Sequence, residues 1–398
     1  MIKRDLTKNL LLSADNFQVV ALVGPRQSGK TTLVKSIFKK HKYISLENFE
    51  MRDFANDDPN GFLKAYAEKN NVILDEIQNT PKLLSYIQTF IDNEAFEDLT
   101  EKRKRRNGRF ILTGSQNFLI NQAISQSLAG RVSIHTLLPL SLNELKDAKL
   151  IKNNPDDFLF QSTYPPTFHK KTPLAEWYAS YLKSYLERDV RLLENVPDLS
   201  SFQKFMKFCA GRIGQTFEAS SLSNDANLPL ETVNAWLSVL EASYIIFFLP
   251  PYYKNFRKQL TKSSKLYFYD SGFASFLLGI KSTEQLLTHY ARGALFESAI
   301  ISELIKKHFN NGDIPSIYFW RDKSGHEIDC IIEKDLSLLG IEIKINQTIS
   351  STQFKGLEDW NKITGNKSEN SFLIYGGDEK HSRKNINVVG WKEADTIV

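Results

Sequence analysis

The densest chemistry in the chain lies at Gly24-Pro25-Arg26-Gln27-Ser28-Gly29-Lys30-Thr31, which fills every fixed position of G-x-x-x-x-G-K-[ST]. Glycines at both ends let backbone N–H groups turn inward onto phosphate oxygens. A helix opening at the lysine adds positive potential at its N-terminus. Lys30 would reach the β- and γ-phosphates, and the Thr31 hydroxyl would ligate Mg²⁺, with Thr32 next in the helix. The acid such a site needs ends an apolar run, Asn71-Val72-Ile73-Leu74-Asp75-Glu76. Asp75 would share the Mg²⁺ shell with Thr31. Glu76, directly after it, would orient or deprotonate an attacking water.

Two further residues complete this candidate set. Ser115 ends Phe110-Ile111-Leu112-Thr113-Gly114-Ser115, and it or Thr113 would sit near the terminal phosphate, because ligands bind at the carboxyl ends of parallel strands. Arg131, on the Ala129-Gly130 turn, fits a transition-state arginine and a structural ion pair equally. The basic run Lys102-Arg103-Lys104-Arg105-Arg106 fits a solvated loop beside a helix C-terminus, with a phosphate-backbone contact as the sharper alternative.

A second constellation lies near the C-terminus. Alternation along His326–Ile332 places Asp329 opposite Ile328 and Cys330, and alternation along Gly340–Ile345 places Glu342 and Lys344 opposite Ile341 and Ile343. Paired as a hairpin over residues 334–337, the two strands would bring Asp329, Glu342 and Lys344 to one side. Carboxylates of this kind suit Mg²⁺ or Mn²⁺. A neighbouring lysine can position water and stabilise charge developing at phosphorus. Glu297 would add a carboxylate from the preceding helix. Taken alone, Asp-x12-Glu-x-Lys is a weak signal and is better described as a hairpin with one wet, charged face than as a metal site.

The elements that must position these groups follow from periodicity. Up to about residue 150, short apolar strands (19–23, 43–46, 72–74, 110–112 and 133–137) alternate with helical stretches, which implies a parallel sheet covered on both faces. After the polar joint Lys152–Asp157, residues 151–285 carry aromatic stripes at helical spacing: Trp177, Tyr178, Tyr181 and Tyr185, then Phe202, Phe205, Met206 and Phe208. Core packing accounts for them. Helices over 217–224 and 230–240 around Pro229, followed by the apolar strand 244–249, read as winged-helix-like. The outer side of the second helix (Glu231, Asn234, Ser238, Glu241) is not basic, which argues against tight major-groove binding. From 286 onward a helix over 293–309 precedes strands over 317–320, 327–332, 338–345 and 372–375. Three domains, 1–150, 151–285 and 286–398, are the natural division.

Composition bounds the rest. At 398 residues, 41% hydrophobic and 24% charged, the chain is no disordered segment. A net charge of +5 permits a nucleic-acid partner without demanding one. Two cysteines, Cys209 and Cys330, are too few for a disulfide scaffold and suit a reducing cytoplasm. No apolar run approaches the ~18 residues a membrane helix needs.

The chain resembles a bacterial and archaeal family of AAA+-type P-loop ATPases whose uncharacterised C-terminal region is similar to PD-(D/E)xK nucleases. Beyond the phosphate loop, the resemblance rests on Leu74–Gln78, Leu112–Ser115, Ser127–Arg131, Pro139–Ser141, Tyr185–Val190, Tyr267–Gly272, Gly293–Glu297 and Gly340–Lys344. Similar chains often carry glycines before the Tyr-Pro of Ser162–Pro165, and this one does not. The resemblance implies an α/β protein with an AAA+/RecA-like parallel-sheet domain, a helical middle domain and a restriction-endonuclease-like domain. ATP is then the substrate with Mg²⁺, DNA or RNA the partner the charge permits, and a homo-oligomer the assembly. The leading expectation is an ATPase coupled to a nuclease-like domain. The alternative is a nucleotide-driven switch or scaffold whose last domain only binds DNA or a protein. A small-molecule kinase fits the phosphate loop but leaves the last third of the chain unused.

Overall fold

The computed structural model describes residues 1–102, 106–115, 127–169, 172–185, 199–253, 263–335 and 337–398. Residues 103–105 of the basic run, 186–190 of the Tyr185–Val190 stretch and residue 336 of the hairpin loop lie outside this set. The chain forms two compact units, Met1–Pro139 with Phe309–Asp313, and Leu140–His308 with Ile314–Val398.

The first unit is built on a five-stranded, all-parallel sheet: β1 (Val19–Val23), β2 (Lys42–Ser45), β3 (Val72–Asp75), β4 (Phe110–Gly114) and β5 (Val132–Thr136). Every residue of β1, β3 and β4 is buried, as continuous apolar strands covered on both faces must be. Val20, Leu22, Leu33, Val34, Ile73 and Ile111 share one core cluster. The strand order is β2-β3-β4-β1-β5. The chain therefore leaves β1 for the far edge and later returns across it to β5. That reversal beside β1 is the switch point at whose carboxyl end ligands bind in open α/β sheets.

The second unit begins with helices. Leu174–Tyr185 and Leu199–Ala210 bury Trp177, Tyr178, Tyr181 and Tyr185, and Phe202, Phe205 and Met206. Helices Ala219–Ala226 and Leu230–Ala242 lead to an antiparallel pair, β6 (Ile246–Leu249) and β7 (Lys265–Phe268). Two of these elements start later than the sequence reading has them. Phe217 donates its N–H to Ser264 O, and Thr216 bridges Lys265, so this stretch is extended and the helix starts at Ala219. Tyr244 has φ 56°, which turns the chain and delays β6 to Ile246.

After the long helix Arg292–Asn311 comes a six-stranded mixed sheet: β8 (Ile317–Arg321), β9 (Glu327–Lys334), β10 (Ser337–Lys344), β11 (Ser371–Tyr375), β12 (His381–Arg383) and β13 (Ile386–Gly390). Its order is β12-β13-β11-β10-β9-β8. β8, β9 and β10 are antiparallel neighbours, whereas β10, β11 and β13 run parallel. Helix Lys355–Thr364 makes the crossover from β10 to β11 and packs Leu357 and Trp360 on Ile328, Ile331, Leu373 and Val388. Both cysteines are buried and free. Among the described residues, no helix is long and apolar enough to cross a membrane.

Candidate functional site

The loop between β1 and helix Lys30–Ile37 is set by backbone geometry. Gly24 has φ 148°, and a Cβ there would lie 2.2 Å from Leu137 O, so a side chain cannot be accommodated. Gln27 (φ 61°) and Gly29 (φ 95°) hold left-handed conformations, as the tight turn of the loop requires. Pro25 and Ser28 are buried, Arg26 is half-buried, and Gln27 and Thr32 face outward. Lys30, only 6% exposed, lies inside the loop and donates to Gly24 O at 2.9 Å and Pro25 O at 2.8 Å. Arg4 supports the loop from behind, donating to Ser28 O and Leu138 O at 2.6 Å each.

The acids lie at the carboxyl ends of β3 and β4. Asp75 is buried and gathers hydroxyl donors from three elements. Thr31 Oγ1 donates to it at 2.9 and 3.0 Å, Tyr43 OH at 2.7 Å, and Thr113 Oγ1 in a short contact. Burial, reinforced by this bond to Asp75, pushes the Tyr43 phenol up to about 12. Glu76 follows with φ 60°, where β3 breaks into the turn Ile77–Asn79. Its carboxylate accepts from Ser115 Oγ at 3.1 Å and closely from Gln78 Nε2, and Gln78 also donates to Ser115 Oγ at 3.2 Å. The structure thus joins Thr31, Asp75 and Thr113 in one network and Glu76 and Ser115 in the next.

Arg131 stands apart from both networks. Its guanidinium is held by Asp92, with Nε–Oδ1 at 2.6 Å and Nη2–Oδ2 at 2.9 Å. Arg4, Tyr43 and Gln78 are the participants the sequence reading missed. Gln78, two residues after Glu76, could have been found from its spacing. Arg4 and Tyr43 meet the site only through tertiary structure.

The second unit holds a separate cluster. β9 and β10 pair antiparallel with Ile341 opposite Cys330, which sets Glu342 opposite Asp329 on the other face. Lys344 Nζ lies 3.1 Å from Asp329 Oδ2 and 2.6 Å from Glu342 Oε2, and Asp329 Oδ2 also accepts from Ile343 N at 2.8 Å. From the long helix, Glu297 accepts from Lys265 Nζ at 3.2 Å and closely from Tyr267 OH. Lys265 is in turn 2.5 Å from Glu327. Helix Lys355–Thr364 approaches at Gly356, where a Cβ would come within 2.8 Å of Glu342 Oε1.

The electrostatics of this cluster are dominated by burial. Burial and the Asp329 charge push Glu342 up to about 8 and Glu297 to about 7, against the opposing pull of Lys344 and Lys265. Burial alone would lower both lysines, but the surrounding carboxylates outweigh it and raise them. Lys265, Tyr267 and Gly356 were invisible in the motif because they come from outside the β9–β10 hairpin. The Tyr267–Gly272 stretch has a structural side as well. Asp270 caps helix Ser271–Leu277 and accepts from Thr163 N, Thr163 Oγ1 and Tyr178 OH at 2.7, 2.8 and 2.5 Å.

Comparison with known proteins divides along similar lines. Residues 16–146 match the family described as an AAA domain, which makes the N-terminal sheet and its phosphate loop an ATPase-type frame. Residues 153–284 and 292–394 each match a domain of unknown function. Uncharacterized proteins of Mycobacterium bovis and Mycobacterium tuberculosis are each 26% identical over 351 residues, covering 87% of this chain and 75% of theirs. Among solved structures, a Walker-type ATPase of Pyrococcus abyssi is 14% identical, covering 70% of this chain and 96% of that one, with a TM-score of 0.45. The Thermotoga maritima RuvB Holliday junction branch migration motor is 18% identical, covering 62% and 89%, with a TM-score of 0.32.

Proposed function

We propose that this protein is an Mg²⁺-dependent ATPase whose second unit acts on nucleic-acid phosphodiesters. The carrying observation is the Asp75 carboxylate gathered onto Thr31, with Glu76 next in the chain and tethered by Ser115 and Gln78. The phosphate loop would bind ATP through its backbone N–H groups and Lys30. Thr31 and Asp75 form an all-oxygen donor set of the kind Mg²⁺ takes beside substrate phosphates. When bound, the ion neutralises charge between the β- and γ-phosphates. Glu76 would take up the proton of an attacking water, with Ser115 and Gln78 fixing the carboxylate's direction.

Arg131, in its own or a neighbouring copy, would leave Asp92 to stabilise charge on the transferred phosphoryl group. Three measurements test the first unit together. Lys30→Ala loses ATP binding. Glu76→Gln keeps binding and loses turnover. Arg131→Ala loses turnover at unchanged affinity.

In the second unit, Asp329 and Glu342 are the pair that would hold a divalent cation. Mg²⁺ commonly takes one or two carboxylates and completes its shell with water and phosphate oxygens, so the pair fits. Among the described residues, no group of three or more Asp, Glu, His or Cys side chains is gathered for a metal. Lys344 would stabilise negative charge developing on phosphate. A second reading, that this unit binds nucleic acid without cutting it, is favoured by the two lysines that already neutralise the carboxylates. Incubating DNA and RNA with the protein, with and without ATP and with Mg²⁺ or Mn²⁺, separates the two. Metal-dependent cleavage abolished by Glu342→Gln supports the first, and retention of intact strands supports the second.

A further inference from the structure

We propose that the cleft beside the carboxylate cluster is a base-stacking subsite, and that the strand this unit takes is single-stranded. The inference rests on the phosphodiester reading above and adds the substrate class to it. The cleft has a volume of about 680 Å³ and is lined by Thr216, Pro251, Tyr253, Ser263, Phe319 and residues 320–323. That size is within the range of small-molecule sites. Its chemistry is divided in a particular way. Pro251 and Phe319 are buried, Tyr253, Trp320 and Asp322 half-buried, and Arg321, Lys323 and Ser263 exposed. The Asp322 carboxylate is taken up by His326, whose N donates to it at 2.9 Å and whose Nδ1 lies 2.8 Å away. Apolar and aromatic walls inside with cations at the mouth are what a base with its attached phosphate requires, since stacking is sequence-tolerant and the charge tracks the backbone.

Shared residues connect the cleft to the cluster. Lys265 Nζ lies 5.4 Å from the Phe319 ring centroid and is paired with both Glu297 and Glu327. Arg321 Nε is 3.7 Å from Glu327 Oε2. Phe319 is therefore a wall of the cleft on one side and a support for the acidic cluster's lysine on the other. Its place is fixed by the backbone. Phe319 N donates to Pro250 O at 3.0 Å, and Tyr252 N donates to Phe319 O at 2.6 Å. A base in the cleft would leave the adjoining phosphate beside the exposed Arg321 and Lys323, with Arg321 reaching the cluster through Glu327. A base held within a duplex is already stacked and cannot enter without being unpaired.

The test uses the full chain in EDTA, so that binding is read without cleavage. Fluorescence anisotropy compares a labelled single-stranded 12-mer, the same sequence as a duplex, and an abasic strand of equal length. We expect the single strand to bind best and the abasic strand to bind roughly 5- to 150-fold more weakly, the range of one base–aromatic stack. Tyr253→Ala should lose affinity for the normal strand within that range and none for the abasic strand, while Tyr253→Phe keeps both. Arg321→Ala should reduce the dependence of log affinity on log salt by about 1. Equal binding of abasic and normal strands, preference for duplex, or an unaffected Tyr253→Ala overturns the subsite. Base-dependent binding without metal-dependent cleavage rejects the phosphodiester reading alone, and cleavage without base dependence rejects the subsite alone.

Discussion

Asp75 is the point at which the nucleotide loop, β2 and β4 meet, so loosening one of its donors should be measurable. Tyr43→Phe removes the phenol that donates to Asp75 Oδ2 at 2.7 Å and leaves the ring in place. The phenol is raised from 10.0 to about 12, which at about 1.36 kcal/mol per tenfold corresponds to about 2.7 kcal/mol. Burial is the first cause and the bond to Asp75 the second, and the phenol is half-exposed. Screening therefore reduces the bond's share to about 1 kcal/mol, below the ~1.5–3 kcal/mol of a buried hydrogen bond to a charged group. The sign follows from the direction. A phenol raised in the folded state contributes fully below pH 10 and is lost as pH rises through about 12. The assay is thermal unfolding at pH 8, following the transition that moves when ATP is added. We expect Tyr43→Phe to lower its midpoint by roughly 3–5 °C. A midpoint equal to the parent's, or a gap that widens above pH 10, would refute the role given to this bond.

Gly24→Ala would set a Cβ 2.2 Å from Leu137 O at φ 148°. Strain of ~1–3 kcal/mol should distort the loop and weaken nucleotide binding at least about tenfold in a fluorescent-ATP titration. Glu342 is raised to about 8, so its neutral form stabilises the fold at low pH and that benefit is lost as pH rises from about 4.5 through 8. Glu342→Gln should accordingly gain stability relative to the parent between pH 5 and pH 9, by about 1 kcal/mol or more; a constant difference in paired denaturation curves would contradict this. Arg131→Ala should cut phosphate release more than tenfold at unchanged ATP affinity, whereas Asp92→Asn should leave turnover intact. Equal losses in both variants would reduce the pair to a structural bridge.

How much of this was legible depended on whether contacts were local in the chain. The phosphate loop could be read because its function needs fixed residue types at adjacent positions. The Asp329–Glu342 face could be read because alternation along two strands fixes which side chains share a side. Tyr43, Arg4 and Lys265 were not legible. Tyr43 reaches Asp75 only because β2 and β3 are parallel neighbours, with Ser45 opposite Asp75. Lys265 lies on β7, outside the β9–β10 hairpin whose alternation was read, and meets the cluster only through tertiary structure. β12 and β13 were also absent from the sequence reading. Arg131 shows the opposite case: the turn that exposes it was legible, and its partner Asp92, on helix Leu83–Thr100, was not.

The central claim is that Glu76, placed beside Asp75 and held by Ser115 and Gln78, activates water against ATP bound in the Gly24–Thr31 loop. Steady-state phosphate release with Mg²⁺ and ATP, measured beside ATP affinity in the parent, Lys30→Ala and Glu76→Gln proteins, tests it most directly. Lys30→Ala is expected to lose binding, and Glu76→Gln to turn over about 10²–10⁴-fold more slowly at near-parent affinity. Equal turnover in Glu76→Gln and the parent would contradict it.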